Sequence, residues 1–175
     1  MLEGKTLWDS GLTEDLYKKT LSDGTIIETY RNLPDNLYVT LRKTAQRLPD
    51  HPAITDNFRR TYTYKDFLMY CDELAAYLYF ERGIREGSHV GLIMYNCFEF
   101  CVAFLALIRL GAVTVPLPSK FKKAEVIPLA ERAEVEAIIC DQDYEEWFSN
   151  FCPAEKMIVI RNIESEYGYR EVYSG

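Results

Sequence analysis

Between His89 and Ile160, short apolar runs alternate with segments of helical length, and no other feature of the chain restricts its fold as much. His89-Val90-Gly91-Leu92-Ile93-Met94-Tyr95, Ala112-Val113-Thr114-Val115-Pro116-Leu117, Ala137-Ile138-Ile139-Cys140 and Met157-Ile158-Val159-Ile160 read as strands. They are continuous rather than alternating in polarity, which predicts burial on both faces of a parallel sheet. Cys97 to Leu110, Lys122 to Ala133 and Asp141 to Asn150 read as the intervening helices, with Asn96 and Asp141 as caps and Gly111 as a stop. Parallel neighbours joined through helices require right-handed crossovers. The expected fold is therefore α/β, a doubly wound and mostly parallel sheet flanked by helices.

Upstream of this unit, Leu37, Leu41, Ala45 and Leu48 recur at helical spacing after Leu33-Pro34-Asp35, with Asp35 placed to cap the helix and Pro49 to end it. Pro52-Ala53-Ile54-Thr55 and Thr61-Tyr62 flank the turn signal Asp56-Asn57, which predicts a short β-hairpin. Thr63 and Asp66 have the spacing of a reciprocal cap, and Tyr64, Phe67, Leu68, Cys71, Leu74, Ala75 and Leu78 follow on one helical face, with Gly83 as terminator. The first thirty residues show no sustained period. Residues 1–32 are expected to be an N-terminal arm with a short helix within Lys5 to Lys19, residues 33–162 the α/β body, and residues 163–175 a truncated tail without a core pattern.

Charge narrows the partners. Lys plus Arg number 20 against 27 Asp plus Glu, and the excess of acid falls in residues 121–175, so no basic stripe exists to follow a phosphate backbone. Nucleic acid is not an expected partner. The longest apolar block, Phe100 to Ile108, falls short of the roughly 20 residues of a membrane span and reads as a core helix. The start of the chain lacks a secretory pattern, and the five cysteines (Cys71, Cys97, Cys101, Cys140 and Cys152) lie in or beside apolar runs, which fits a reducing, cytoplasmic setting.

Ligands of such sheets lie beyond the carboxyl ends of the strands, here Tyr95-Asn96, Leu117-Pro118-Ser119-Lys120, Cys140-Asp141 and Arg161-Asn162. A phosphate held at a helix start needs bare backbone N–H groups, and these loops contain no glycine. The nine glycines match neither dinucleotide nor P-loop spacing. Cys97 and Cys101 stand one helical turn apart but lack the further ligands of a closed zinc site, so no metal site is expected. His51 and His89 are expected to be structural or exposed, and neither accompanies a nucleophile elbow. Glu145-Glu146 and Glu134-Glu136 read as a solvated acidic face, and Trp147 and Phe148 as core anchors. No residue is assigned a catalytic role, and a cofactor-binding set is left open. The mouth around Asn96 and Ser119 is a third, weaker candidate, as a small-molecule site.

Several segments together resemble the AMP-forming acyl-CoA synthetases of the adenylate-forming superfamily. Tyr62-Thr63-Tyr64-Lys65-Asp66-Phe67 is similar to an early family element. Gly91 to Phe100, with Tyr95-Asn96-Cys97-Phe98-Glu99-Phe100 at its end, continues through a buried helix into Gly111-Ala112-Val113-Thr114-Val115-Pro116-Leu117, a second and stronger match. Leu48-Pro49-Asp50-His51-Pro52-Ala53-Ile54 resembles the family's usual lead-in. The likeness runs from about Leu33 to Ile160, and the fold it implies is the first subdomain of the synthetase N-terminal domain.

The resemblance also implies chemistry: activation of a carboxylate with ATP to an acyl-adenylate, then transfer of the acyl group to coenzyme A. ATP, magnesium and coenzyme A are implied for the full-length family, none of them bound by this chain alone. The family's Gly-rich phosphate loop and its lysine, its magnesium-holding Glu and its ribose-binding Asp have no counterpart among these 175 residues. The chain is accordingly expected to be the N-terminal part of a fatty-acid or carboxylate–CoA ligase and inactive alone, its partner being the remainder of the synthetase. The alternative is a free-standing, non-catalytic interaction or oligomerisation module that self-associates through an uncovered apolar face.

Overall fold

The computed structural model describes Gly11 and residues 14–34, 36–56 and 59–161. The chain divides into two units, Met1–Asp35 and Asn36–Gly175. The first contains an antiparallel hairpin, β1 (Leu16–Thr20) and β2 (Ile26–Tyr30), with Leu16 opposite Tyr30 and Thr20 opposite Ile26. Of the span expected to hold a short helix, Lys5 to Lys19, Gly11 is helical, the residues on either side of it lie outside the described ones, and Leu16 to Lys19 belong to β1. A turn at Asp23-Gly24 joins the two strands. Gly24 takes φ +84°, Asp23 Oδ1 accepts from the Thr25 N–H at 2.9 Å, and the Leu21 N–H donates to the Thr25 carbonyl at 2.8 Å.

In the second unit, α1 (Leu37–Arg47) is capped by Asn36, whose side chain accepts from the Val39 N–H. The cap thus falls one residue after the expected Asp35, which lies outside the described residues. β3 (Pro52–Thr55) and β4 (Thr61–Thr63) form the expected hairpin, and α2 (Tyr64–Phe80) opens with the reciprocal Thr63–Asp66 cap. The sheet follows: β5 (His89–Ile93), α3 (Phe98–Leu110), β6 (Val113–Pro116), α4 (Lys123–Arg132), β7 (Ala137–Asp141), α5 (Glu145–Phe148) and β8 (Met157–Ile160). Its order is β6-β5-β7-β8, with every pair parallel.

Topology fixes which side each helix covers. The step from β5 to β6 runs one way along the sheet, and the steps from β6 to β7 and β7 to β8 run the other. Crossovers of one hand must then place α3 on one face and α4 and α5 on the opposite face. The core divides accordingly. Val90, Leu92, Ala137, Ile139, Ile158 and Ile160 pack with residues of α1, α2 and α3. Ile93, Ile138 and Cys140 pack with Val126 and Ala130 of α4 and Phe148 of α5. The doubly wound sheet of the sequence reading is the observed fold.

Two glycines are required by geometry. Gly111 ends α3 at φ +70°. Gly91 lies on β5 where an added Cβ would come 2.6 Å from Ile138 Cδ1 and 3.1 Å from Val135 Cγ1, so only a bare backbone lets the second layer close. Pro116 sits on an edge strand. The Val113 and Leu117 N–H groups donate to Ser88 and Leu92 of the β5 side, so the missing N–H of Pro116 falls on the outer side, where no ladder bond is lost.

Two further boundaries differ from expectation. Cys97 rather than Asn96 is the N-cap of α3, with no side-chain cap bond. The Asp141-to-Asn150 helix is instead a 3₁₀ turn, Gln142–Tyr144, followed by the four-residue α5. α4 contains Pro128 in its interior, which removes one backbone donor and keeps that helix short.

Candidate functional site

α3 leaves β5 toward one face while both neighbouring strands, β6 and β7, send their helices to the other. A crevice opens where such paths diverge, at the carboxyl ends of β5 and β7. Here Tyr95 is 49% exposed, with its ring 5.7 Å from that of the buried Tyr144. Tyr144 donates its hydroxyl to the Ser119 carbonyl at 3.0 Å, tying the 3₁₀ turn to the loop after β6. Burial, reinforced by a hydrogen bond with Tyr95, raises the Tyr144 phenol above its ordinary range.

Two carboxylates give the mouth its character. Asp141, the last residue of β7, is 2% exposed. Burial raises its pKa, with Asp143 and Glu99 adding to the effect, while the backbone N–H groups of Asp143 and Gln142 oppose it. Glu99 occupies the first turn of α3, where the helix dipole favours a negative charge. Arg60 reaches it at 3.8 Å while gripping Asp56 at 2.6 Å. Cys97 completes the rim, its thiol pushed up to about 12 by burial, so it is protonated at neutral pH and a poor nucleophile.

The residues singled out in sequence do not converge. Cys97 and Cys101 both pack against the first core layer, and among the described residues no group of three or more His, Cys, Asp or Glu is placed to hold a metal. All five cysteines are free thiols, each raised by burial. His89 Nδ1 lies 2.6 Å from the Ala133 carbonyl oxygen, which places a proton on Nδ1 and gives the ring a structural task. His51 is exposed before β3. Glu145 pairs with Arg161 at 3.1 Å, and Glu134, Glu136 and Glu146 are exposed. Ser119 takes part through its backbone. Phe148 is a buried anchor as expected, but Trp147 is only half-buried and lines a groove between α4 and α5. Sequence reasoning missed the Tyr95–Tyr144 pair and the Arg60–Glu99 bridge, which join residues far apart in the chain.

A triphosphate does not fit this mouth. Glu99 already occupies the first turn of α3, Asp141 stands beside it, and no glycine exposes a row of N–H groups. The donor set for magnesium is not assembled among the described residues either.

The AMP-binding enzyme family matches residues 41–168, and the chain belongs to that family. Among its relatives is the medium-chain fatty-acid–CoA ligase of Escherichia coli K12, 33% identical over 86 residues, a stretch that is 49% of this chain and 15% of the ligase. 4-Coumarate–CoA ligase 2 of Oryza sativa subsp. japonica is 39% identical over 89 residues, covering 50% of this chain and 15% of its own length. The chain thus spans a small part of the relatives it matches. Among solved structures, the fatty acyl CoA synthetase of Mycobacterium tuberculosis superposes with TM-score 0.63 at 23% identity, over 72% of this chain and 26% of that one. Coronafacic acid ligase of Pectobacterium brasiliense gives 0.66 at 24%, over 71% and 25%. These superpositions establish the shared fold. No helix of the described residues is long and apolar enough to cross a membrane.

Proposed function

We propose that this chain forms the first α/β layer of an AMP-forming carboxylate–CoA ligase, and that the 175 residues alone form no acyl-adenylate. The whole ligase activates a fatty acid or related carboxylate with ATP and passes the acyl group to coenzyme A. The family match over residues 41–168 carries the reading, supported by relatives named as medium-chain fatty-acid and 4-coumarate ligases. The claim of inactivity rests on the mouth, whose carboxylates and lack of glycine oppose the charge that a transferring phosphoryl group develops. Magnesium, ATP and coenzyme A are assigned to the remainder of the ligase, which is the expected partner. The five free thiols support a reducing setting, the cytoplasm, as its location.

Two assays test this. Incubated with ATP, magnesium and a panel of fatty and aromatic acids, the 175-residue chain releases no pyrophosphate above background; steady release would overturn the claim of inactivity. A chimaera carrying residues 41–168 in place of the matched segment of the E. coli ligase still makes acyl-CoA. A folded chimaera without that activity would overturn the assignment as a ligase layer.

A further inference from the structure

The groove between α4 and α5 has a volume of about 500 Å³ and is lined by none of the mouth residues. Lys123, Ile127 and Glu131 follow one another at intervals of four along α4, so they share one face of the helix. The rest of the lining comes from Trp147, Asn150 and Phe151, in and just after α5, and from Val135. The result is an apolar centre with a cation at one end and an anion at the other. Lys123 is already drawn toward the groove, since its ammonium donates to the Glu146 carbonyl at 3.2 Å. Lys123 and Glu131 are exposed, and Ile127, Trp147 and Phe151 are half-buried.

This charge pattern is its own complement. Ile127 stands midway between Lys123 and Glu131, so a helix with this face, turned end for end about Ile127, sets lysine against glutamate at both ends. A two-fold axis performs that operation: in an isologous interface, if residue i meets j, then j meets i. We propose that the groove is the interface between two copies of this chain, with α4 of one laid antiparallel on α4 of the other across an axis near Ile127. Lys123 of each copy then faces Glu131 of the other, and the two such pairs lie about 12 Å apart along the helix at ~1.5 Å per residue. The apolar side chains between them close against their equivalents. The net charge of −7 opposes contact between two copies in any register, so the lysine–glutamate pairs and the apolar side chains between them are what favour this one. The inference does not rest on the ligase reading.

Sedimentation equilibrium of the 175-residue chain tests it through charge reversal at exposed positions, with circular dichroism to confirm that each variant folds. The unaltered chain dimerises. Lys123→Glu and Glu131→Lys each set like charges face to face at both ends and weaken the dimer by roughly tenfold or more. Mixed in equal amounts, the two variants pair with each other, because one copy then carries two anions and the other two cations. The double variant K123E/E131K regains the homodimer. A chain that is monomeric up to about 0.5 mM, near the weak end of specific association, overturns the proposal. So do single variants that dimerise like the parent, or a mixture and a double variant that both stay monomeric.

Discussion

The two faces of the sheet are closed by unequal means. On one, α1, α2 and α3 build a deep layer in which Phe98 is fully buried and stacked on Tyr62, with ring centroids 3.7 Å apart and planes within 1°. Phe67 and Tyr70 meet the same ring at 5.6 and 5.7 Å. Polar bonds lock the outer rim: Tyr38 donates its hydroxyl to Asp72 at 2.7 Å, and Arg109 bridges to Asp72 at 2.9 Å while lying over the Tyr38 ring. On the other face, the cover is a helix interrupted by Pro128, a 3₁₀ turn and a helix of four residues, with an open groove between them. The difference teaches that helix length decides how completely a face is sealed. A long helix presents several successive turns to the sheet, whereas a four-residue one presents a single anchor, Phe148.

The largest test of that contrast is truncation of the two anchors. Phe98→Ala is expected to cost about 4 kcal/mol and Phe148→Ala about 3, because the thinner layer collapses more easily around a cavity. Urea unfolding measures both, and equal losses would break the comparison. Next comes the point where the second layer presses closest. Gly91→Ala drives a methyl against Ile138 and costs about 2 kcal/mol. Adding Ile138→Val, which removes the clashing Cδ1, recovers part of that loss, and a double variant no better than the single one would show that the close approach is not the constraint.

A smaller effect tests the rim of the sealed face. Tyr38 has its pKa raised from 10.0 to about 12, by burial first and then by its bond to Asp72. The unfolded chain gives up this proton more readily, so the contribution to stability is whole below about pH 10 and fades as pH rises toward 12. Tyr38→Phe costs about 1 kcal/mol at neutral pH through the lost hydrogen bond. It also flattens the alkaline decline of the melting temperature, leaving the share due to Tyr62 and Tyr144, whose phenols are raised as well. An unchanged decline would mean that Tyr38 is not held in this way. The smallest change is expected at the thin layer's surface. Arg161→Ala removes an exposed pair with Glu145 and costs less than about 0.5 kcal/mol in the same melt.

The strands and the doubly wound order were legible because continuous apolar runs and their spacing report burial on both faces. The Thr63–Asp66 cap and the Gly111 stop were legible because each rests on residues close in sequence. Elements governed by competition were not. The β1–β2 hairpin lacks a clean alternation, so its turn at Asp23-Gly24 is the one local signal that marks it. Asp141 could cap a long helix, yet the chain turns through 3₁₀ geometry as Tyr144 reaches the Ser119 carbonyl, an attachment that crosses 25 residues. The mouth stayed hidden for the same reason. Its carboxylates and rings come from segments whose proximity only the folded sheet creates, and no local pattern marks them.

Pro116 gives the sheet a direction. A polypeptide approaching alongside β6 would find a row of hydrogen-bonding partners with a gap where the imino nitrogen sits, so lateral zippering from that flank stalls at its first steps. Among the described residues Met157–Ile160 forms the far flank, and it carries no proline and no charge to interrupt such a row. The sheet of the described residues therefore resembles a fabric with one hemmed border and one raw border, and uncontrolled accretion of this chain is biased toward the raw one.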